Sequence, residues 1–255
     1  MKNVSAIYCC LIILMLVFTP TIKAIEAIRT DVNPVIDGKA EDLVWQRAQW
    51  QPISELLLGS KPNAEDFSGR FKIVWNKQSL FLLVEITDDI LFDQHANPLE
   101  FYWDDDCLEI FIDEDRSGGE HQFNFNAFAY HVALDNQSVD LGYKNSNGNP
   151  DVLLLNDHIT SRWQRSSSRL NKVVWELSVD VYDDTFTYNE QGFIGQPVKL
   201  FSGKKLGFML AYCDNDGSKY REHFVGSHKI KAVNGNKNLG YIDASVFGEL
   251  KLVNK

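Results

Sequence analysis

Alternation of apolar and polar side chains is the dominant signal along this chain, and its period is that of a strand rather than a helix. It is clearest in residues 107–113, CLEIFID, where Leu108, Ile110 and Ile112 share one face and Glu109, Phe111 and Asp113 the other. Residues 71–75 (FKIVW) and 80–86 (LFLLVEI), joined through Asn76, Lys77 and Gln78, predict a hairpin. Its second arm is apolar almost throughout, which places it mid-sheet with both faces covered. Further strands are expected over residues 27–30, 122–126, 130–134, 159–164, 173–181, 206–212 and 247–253, separated by Gly-, Asn- and Asp-rich loops. Helical character is confined to one turn over residues 41–47, with Asp42 near its start and Val44 and Trp45 on an apolar side. Many strands and one early helical turn predict an all-β domain: a two-sheet sandwich of jelly-roll or Ig-like type with one short helix near the N-terminus.

The first residues add a destination. Lys2, an apolar block over residues 4–18, Pro20 and the small Ala24 have the layout of a secretory signal peptide. The block is shorter than the roughly 18 residues a membrane anchor needs. A signal over residues 1–24 and one domain over 25–255 are expected, since no linker or repeat divides the remainder, and the product is exported to the periplasm or the medium. The net charge of −10 repels phosphate backbones and anionic lipid, which disfavours nucleic acid and, after signal removal, membranes as partners. Beyond the signal stand only Cys107 and Cys213, too few for a disulfide scaffold; they read as two buried thiols or as one bridge.

If residues 122–126 (QFNFN) form a strand, Phe123 and Phe125 share one face and Gln122, Asn124 and Asn126 the other. Glu109, Asn124 and Asn126 on wet strand faces, flanked by Trp103, would make a polar platform with an aromatic wall. Carboxylates and amides bridge sugar hydroxyls, and an indole packs on the C–H groups of a pyranose. The same residues also fit ordinary hydrophilic strand faces with Trp103 capping the core. Asp113, Asp115 and Ser117 before Gly118 set oxygens on alternate residues ahead of a sharp turn, as a calcium loop does. Asn124 at the twelfth position excludes an EF-hand, leaving a calcium-stabilised loop or a plain acidic turn. Asp214, Asp216 and Gly217 repeat the spacing, and Asp104, Asp105 and Asp106 form another patch. Glu109 and Glu176 could be a glycosidase pair, though nothing sets their separation. No paired zinc-ligand spacing, nucleophile elbow or Walker loop occurs.

The segments IDGKAEDLVW, FKIVWNKQSLFLLVEITDD and WDDDCLEIFIDED, the strand around Trp175 and Glu176, the run CDND at 213–216 and FGELKLV together resemble the family 9 carbohydrate-binding modules, over nearly the whole chain after the signal. The resemblance implies a β-sandwich, structural calcium, and a non-catalytic site that holds the reducing end of a glycan between two Trp rings. Oligo- or polysaccharides are the implied partners, with glycoside hydrolases the enzymes such a module assists. By position, Trp103 matches the first plate and Glu109 the sugar-bonding carboxylate, while Asn124 falls where the family has an Arg. The second plate would follow Arg221, near Gly226 or Ser227. No Trp lies between Tyr220 and Phe247, which leaves Phe224 or Tyr241 as replacements. Similar sandwiches include haem-binding electron-transfer modules, for which Met209 would be the axial ligand. The candidate set is thus Trp103, Glu109, Asn124, Asn126, Arg221 and Phe224 for sugar, and Asp113, Asp115 and Ser117 for calcium.

Overall fold

The computed structural model describes residues 24–166 and 171–254, so all of the expected signal except Ala24 lies outside it. In chain order the strands are β1 (Ile25–Arg29), β2 (Gln51–Ile53), β3 (Glu55–Gly59), β4 (Phe67–Trp75), β5 (Ser79–Asp88), β6 (Cys107–Asp113), β7 (Phe128–Ala133), β8 (Ser138–Lys144), β9 (Pro150–Leu154), β10 (Ile159–Arg165), β11 (Lys172–Asp180), β12 (Thr187–Asn189), β13 (Gly192–Ile194), β14 (Lys205–Asp214), β15 (His223–Gly226) and β16 (Gly248–Val253). β12 and β13 pair only with each other. The rest form one sheet in the order β10-β11-β5-β4-β1-β16-β14-β6-β7-β8-β9, with β15 joined to β14 and β3, and β2 to β4.

The chain is all-β as expected, but two separately bonded sheets are not what the strands build. β1 pairs in parallel with β16 on one side and with β4 on the other, and this splice makes the ladder continuous. The sheet curls until its halves face each other. Phe71 on β4 then lies 5.9 Å from Phe208 on β14, and Phe67 lies 5.3 Å from Tyr212. The interior so enclosed holds Leu82, Val84 and Ile86 of β5 together with Leu108, Ile110 and Ile112 of β6. β5 is covered on both faces, as its apolar run predicts, because Phe81 and Leu83 pack outward against Trp45 and Ala48.

Two local expectations change. The helix near the N-terminus is a single 3-10 turn, Leu43–Gln46, and no α-helix occurs among the described residues. Asp42 does not cap the turn; its carboxylate accepts the Val35 amide instead. Residues 122–126 form turns rather than a strand, so alternation no longer assigns faces. Phe125 enters an aromatic cluster with Phe128 and Phe186, whereas Phe123 remains partly open beneath Lys144.

Glu176, the imagined partner of Glu109 in catalysis, is a staple on the outer face of β11. One oxygen accepts the Trp45 indole N–H (2.9 Å) and the other accepts the amides of Asp37 and Gly38 (3.1 Å each), which clamps the N-terminal segment to the sheet. Gly38 is needed there: its φ is +80°, and a Cβ would meet the Trp163 backbone at 2.8 Å. Glu176→Gln leaves at least one of these donors facing an amide N–H. The expected loss is about 1–3 kcal/mol in urea unfolding, with no change in ligand binding.

Candidate functional site

Alternation along β6 turns Glu109 away from the aliphatic interior, as expected, but not into water. β6 lies between β14 and β7, the outer face of this half of the sheet is covered, and Glu109 is 2% exposed. Its register partners are Ala211 and His131. Burying a carboxylate requires donors, and three converge on Oε1: Arg221 Nη1 at 2.8 Å, Cys213 Sγ at 3.0 Å and His131 Nε2 at 3.0 Å. Burial alone would raise the pKa of Glu109, but His131, Arg221 and the Cys213 hydrogen bond outweigh it and hold the group at about 2. The Arg221 guanidinium lies 4.4 Å above the Phe224 ring and also contacts Cys213 Sγ at 2.8 Å. Cys107 and Cys213 are register partners and both are free thiols, which decides between the two readings of the pair.

Glu109 and Arg221 line a cleft of about 530 Å³ whose walls include Tyr102, Trp103, Phe123 and Tyr241. Trp103 is 39% exposed and rests edge-on against Tyr102 (4.9 Å) and Phe101 (5.9 Å). Tyr102 in turn packs edge-on against His131 (4.7 Å). The three aspartates after Trp103 fix this loop. Asp105 accepts the amides of Gln94 and His95, Asp106 those of Phe92 and Asn215, and Asp104 that of Arg221. The run WDDD therefore ties the plate-bearing loop to the turn that delivers Arg221.

Residues 36–255 match the family described as carbohydrate family 9 binding domain-like. The chain belongs to that family. Among curated proteins it is 30% identical over 116 residues to exoglucanase XynX of Acetivibrio thermocellus, covering 46% of this chain and 10% of that protein. It is 23% identical over 195 residues to endo-1,4-beta-xylanase C of Paenibacillus barcinonensis, covering 74% of this chain and 16% of that one. The aligned part is thus a small fraction of each enzyme. In fold it is similar to a family 9 carbohydrate-binding module from Caldicellulosiruptor kristjanssonii in complex with cellotriose, with a TM-score of 0.65 at 19% identity over 91% of this chain and 95% of that one. The same module in complex with glucose gives 0.64 at 19% identity, over 91% and 97%.

Against this family 9 frame, Trp103, Glu109 and Arg221 share the cleft, while three other candidates do not line it. Asn124 and Asn126 are spent on their own turn: Asn124 donates to the Glu120 carbonyl and accepts the Asn126 amide, and Asn126 donates to the Gly118 carbonyl. The turn conformation of residues 122–126 is the reason. Phe224 is buried under Arg221. Gly226 carries no ring and lies buried on β15, where a Cβ would meet the Leu57 side chain at 2.9 Å. The aromatics that line the cleft besides the Trp103 loop are Tyr241 and Phe123. His131 belongs to no motif in the sequence; it is the antiparallel register of β7 on β6 that sets it beside Glu109.

Asp113, Asp115 and Ser117 form a turn that largely satisfies itself. Asp113 accepts the Gly118 amide, Asp115 accepts the Ser117 amide, and the Ser117 hydroxyl donates to Asn126; only Asp113 Oδ1 is buried without a partner. A denser cradle lies where the ends of β5 and β14 meet. There Asp88, Asp106 and Asp214 form one trio and Asp66, Asp89 and Asp216 another, with one oxygen per residue within 4.8 Å of the others. Oδ1 of Asp88, Asp214 and Asp216 has no hydrogen-bond partner. Burial and then Asp88 push Asp214 up to about 8, the behaviour of a carboxylate lacking a counter-charge. An all-oxygen donor set of this kind suits a hard divalent cation. Met209 is buried with Leu57, Phe111 and Phe224 and does not line the cleft, so it fills core space.

Proposed function

We propose that this protein is a non-catalytic glycan-binding module, exported to the periplasm or medium, that serves polysaccharide-degrading glycoside hydrolases. The observation that carries the reading is a half-exposed indole, Trp103, braced beside a buried but ionised carboxylate at one cleft. Trp103 stacks on a sugar ring. Glu109, whose three contacts all fall on Oε1, accepts hydroxyl hydrogen bonds through Oε2, and Arg221 donates. Tyr241 or Phe123 supplies the opposing apolar surface. The matched relatives named exoglucanase and xylanase, and the solved complexes with cellotriose and glucose, support β-linked glucose or xylose oligomers as first ligands to try. Titration with cellotriose, xylotriose and glucose is expected to change the Trp fluorescence saturably; a flat response to all three would remove the proposal.

Calcium in the cradle would be structural, held by Asp88, Asp106 and Asp214 and by Asp66, Asp89 and Asp216 rather than by the loop after Asp113. It would neutralise side chains that otherwise crowd like charges. At a hundredfold excess over its Kd such an ion stabilises by about 2.7 kcal/mol, which is roughly 5–10 °C for a domain of this size. Thermal melts with calcium and with chelator are expected to differ by that margin, and coincident melts would count against the ion.

A further inference from the structure

The acidic cradle also contains an imidazole, which neither the cleft nor the calcium reading uses. His223 opens β15 directly opposite Asp214, the last residue of β14. One ligand atom from each of Asp66, Asp214 and His223 lies within 4.8 Å of the other two, so the β4 approach, the end of β14 and the start of β15 converge there. His223 Nε2 is 3.6 Å from Asp66. His223 is 8% exposed and Asp214 1%, and Nδ1 of the first and Oδ1 of the second are buried without a hydrogen-bond partner. Unpartnered buried polar atoms are disfavoured, and a native fold that keeps them on adjacent side chains has a reason to.

We propose that Asp66, Asp214 and His223 form a binding site for a divalent transition metal of the zinc type. The two all-aspartate trios, which share Asp214 and Asp66 with this set, offer only carboxylate oxygen, whereas this one adds a nitrogen, and imidazole shifts preference from calcium and magnesium toward zinc and its neighbours. Three protein ligands leave a coordination position for water. The site closes the turn that runs from Asp214 to His223, already pinned by the Glu222 amide on the Asp214 carbonyl (2.8 Å), and that turn carries Arg221 into the cleft. A metal here would therefore hold the base of the arm whose tip meets the proposed sugar.

The test is calorimetric titration of chelator-stripped protein with Zn2+ in excess Ca2+, followed by Co2+ substitution to read the ligands in the visible spectrum. Because Asp66 and Asp214 also belong to the calcium trios, one equivalent of Zn2+ is expected to bind by displacing Ca2+ from them. His223→Gln is expected to weaken it about tenfold or more and to change the Co2+ spectrum, while Ca2+ still stabilises the fold. Absence of Zn2+ binding above the calcium background, or equal affinity in His223→Gln, would overturn the site. If His223→Gln loses the wild-type circular dichroism, Asp66→Asn on the preceding loop decides: undiminished Zn2+ affinity in that variant overturns the proposal. Oligosaccharide titration of the metal-free protein separates this outcome from the glycan reading, which stands or falls independently.

Discussion

Glu109→Ala is expected to cost about 3–5 kcal/mol of stability and to abolish glycan binding. The stability loss follows from what is left behind: Arg221, with only 9% of its side chain exposed, would keep its charge without its carboxylate, and stranding one member of a buried pair costs that much. Total domain stabilities of about 5–15 kcal/mol make this a large fraction. Glu109→Gln keeps an oxygen for Arg221 and is expected to fall between the two. The pair also predicts a pH window. Because Glu109 is held at about 2 against its ordinary 4.5, its contribution is complete above 4.5 and is lost as pH falls toward 2. Urea unfolding of wild type and Glu109→Gln should therefore converge on acidification; a gap that persists at the acid end would show that the charge is not what stabilises.

Trp103→Ala should separate the two effects, leaving the fold nearly intact while weakening binding. The ring is 39% exposed and touches its neighbours by edges, so its loss is expected to cost no more than about 1 kcal/mol in unfolding. A central aromatic anchor carries about 2 kcal/mol or more of a binding energy, so affinity for cellotriose or xylotriose should drop roughly 30-fold. Trp103→Phe, which keeps a smaller plate, should recover part of it. Wild-type affinity in Trp103→Ala would place the ligand elsewhere.

The parts of this molecule that could be read in advance are those where one local pattern settles the matter. The apolar run of β5, joined through a turn to a preceding strand, reads as a doubly covered strand, and CLEIFID defines both faces of β6. What the alternation could not say is which face is wet. Glu109 reads as a solvent-side carboxylate until Arg221, 112 residues away in sequence, is seen covering it. The run QFNFN shows the reverse failure: perfect alternation in a segment whose amides are consumed by turns. Tyr241 comes from a loop without any period and enters the candidates only through the family resemblance, while β15, four residues long, carries no pattern of its own. The three aspartates after Trp103 read as a charged patch because the amides they accept belong to an irregular segment 10 to 14 residues earlier and to a turn more than 100 residues later. The closure of the sheet was equally hidden, since no pattern within β1 indicates that both of its edges are used.

That closure sets a timetable. Ile25 lies opposite Leu250, so the first strand has no partner on that side until the final one has been made. Contacts that span so much chain form late and slowly. Until β16 docks, the ribbon stays open at that seam, so the pairing of Ile25 with Leu250 is expected to be among the last contacts made in folding.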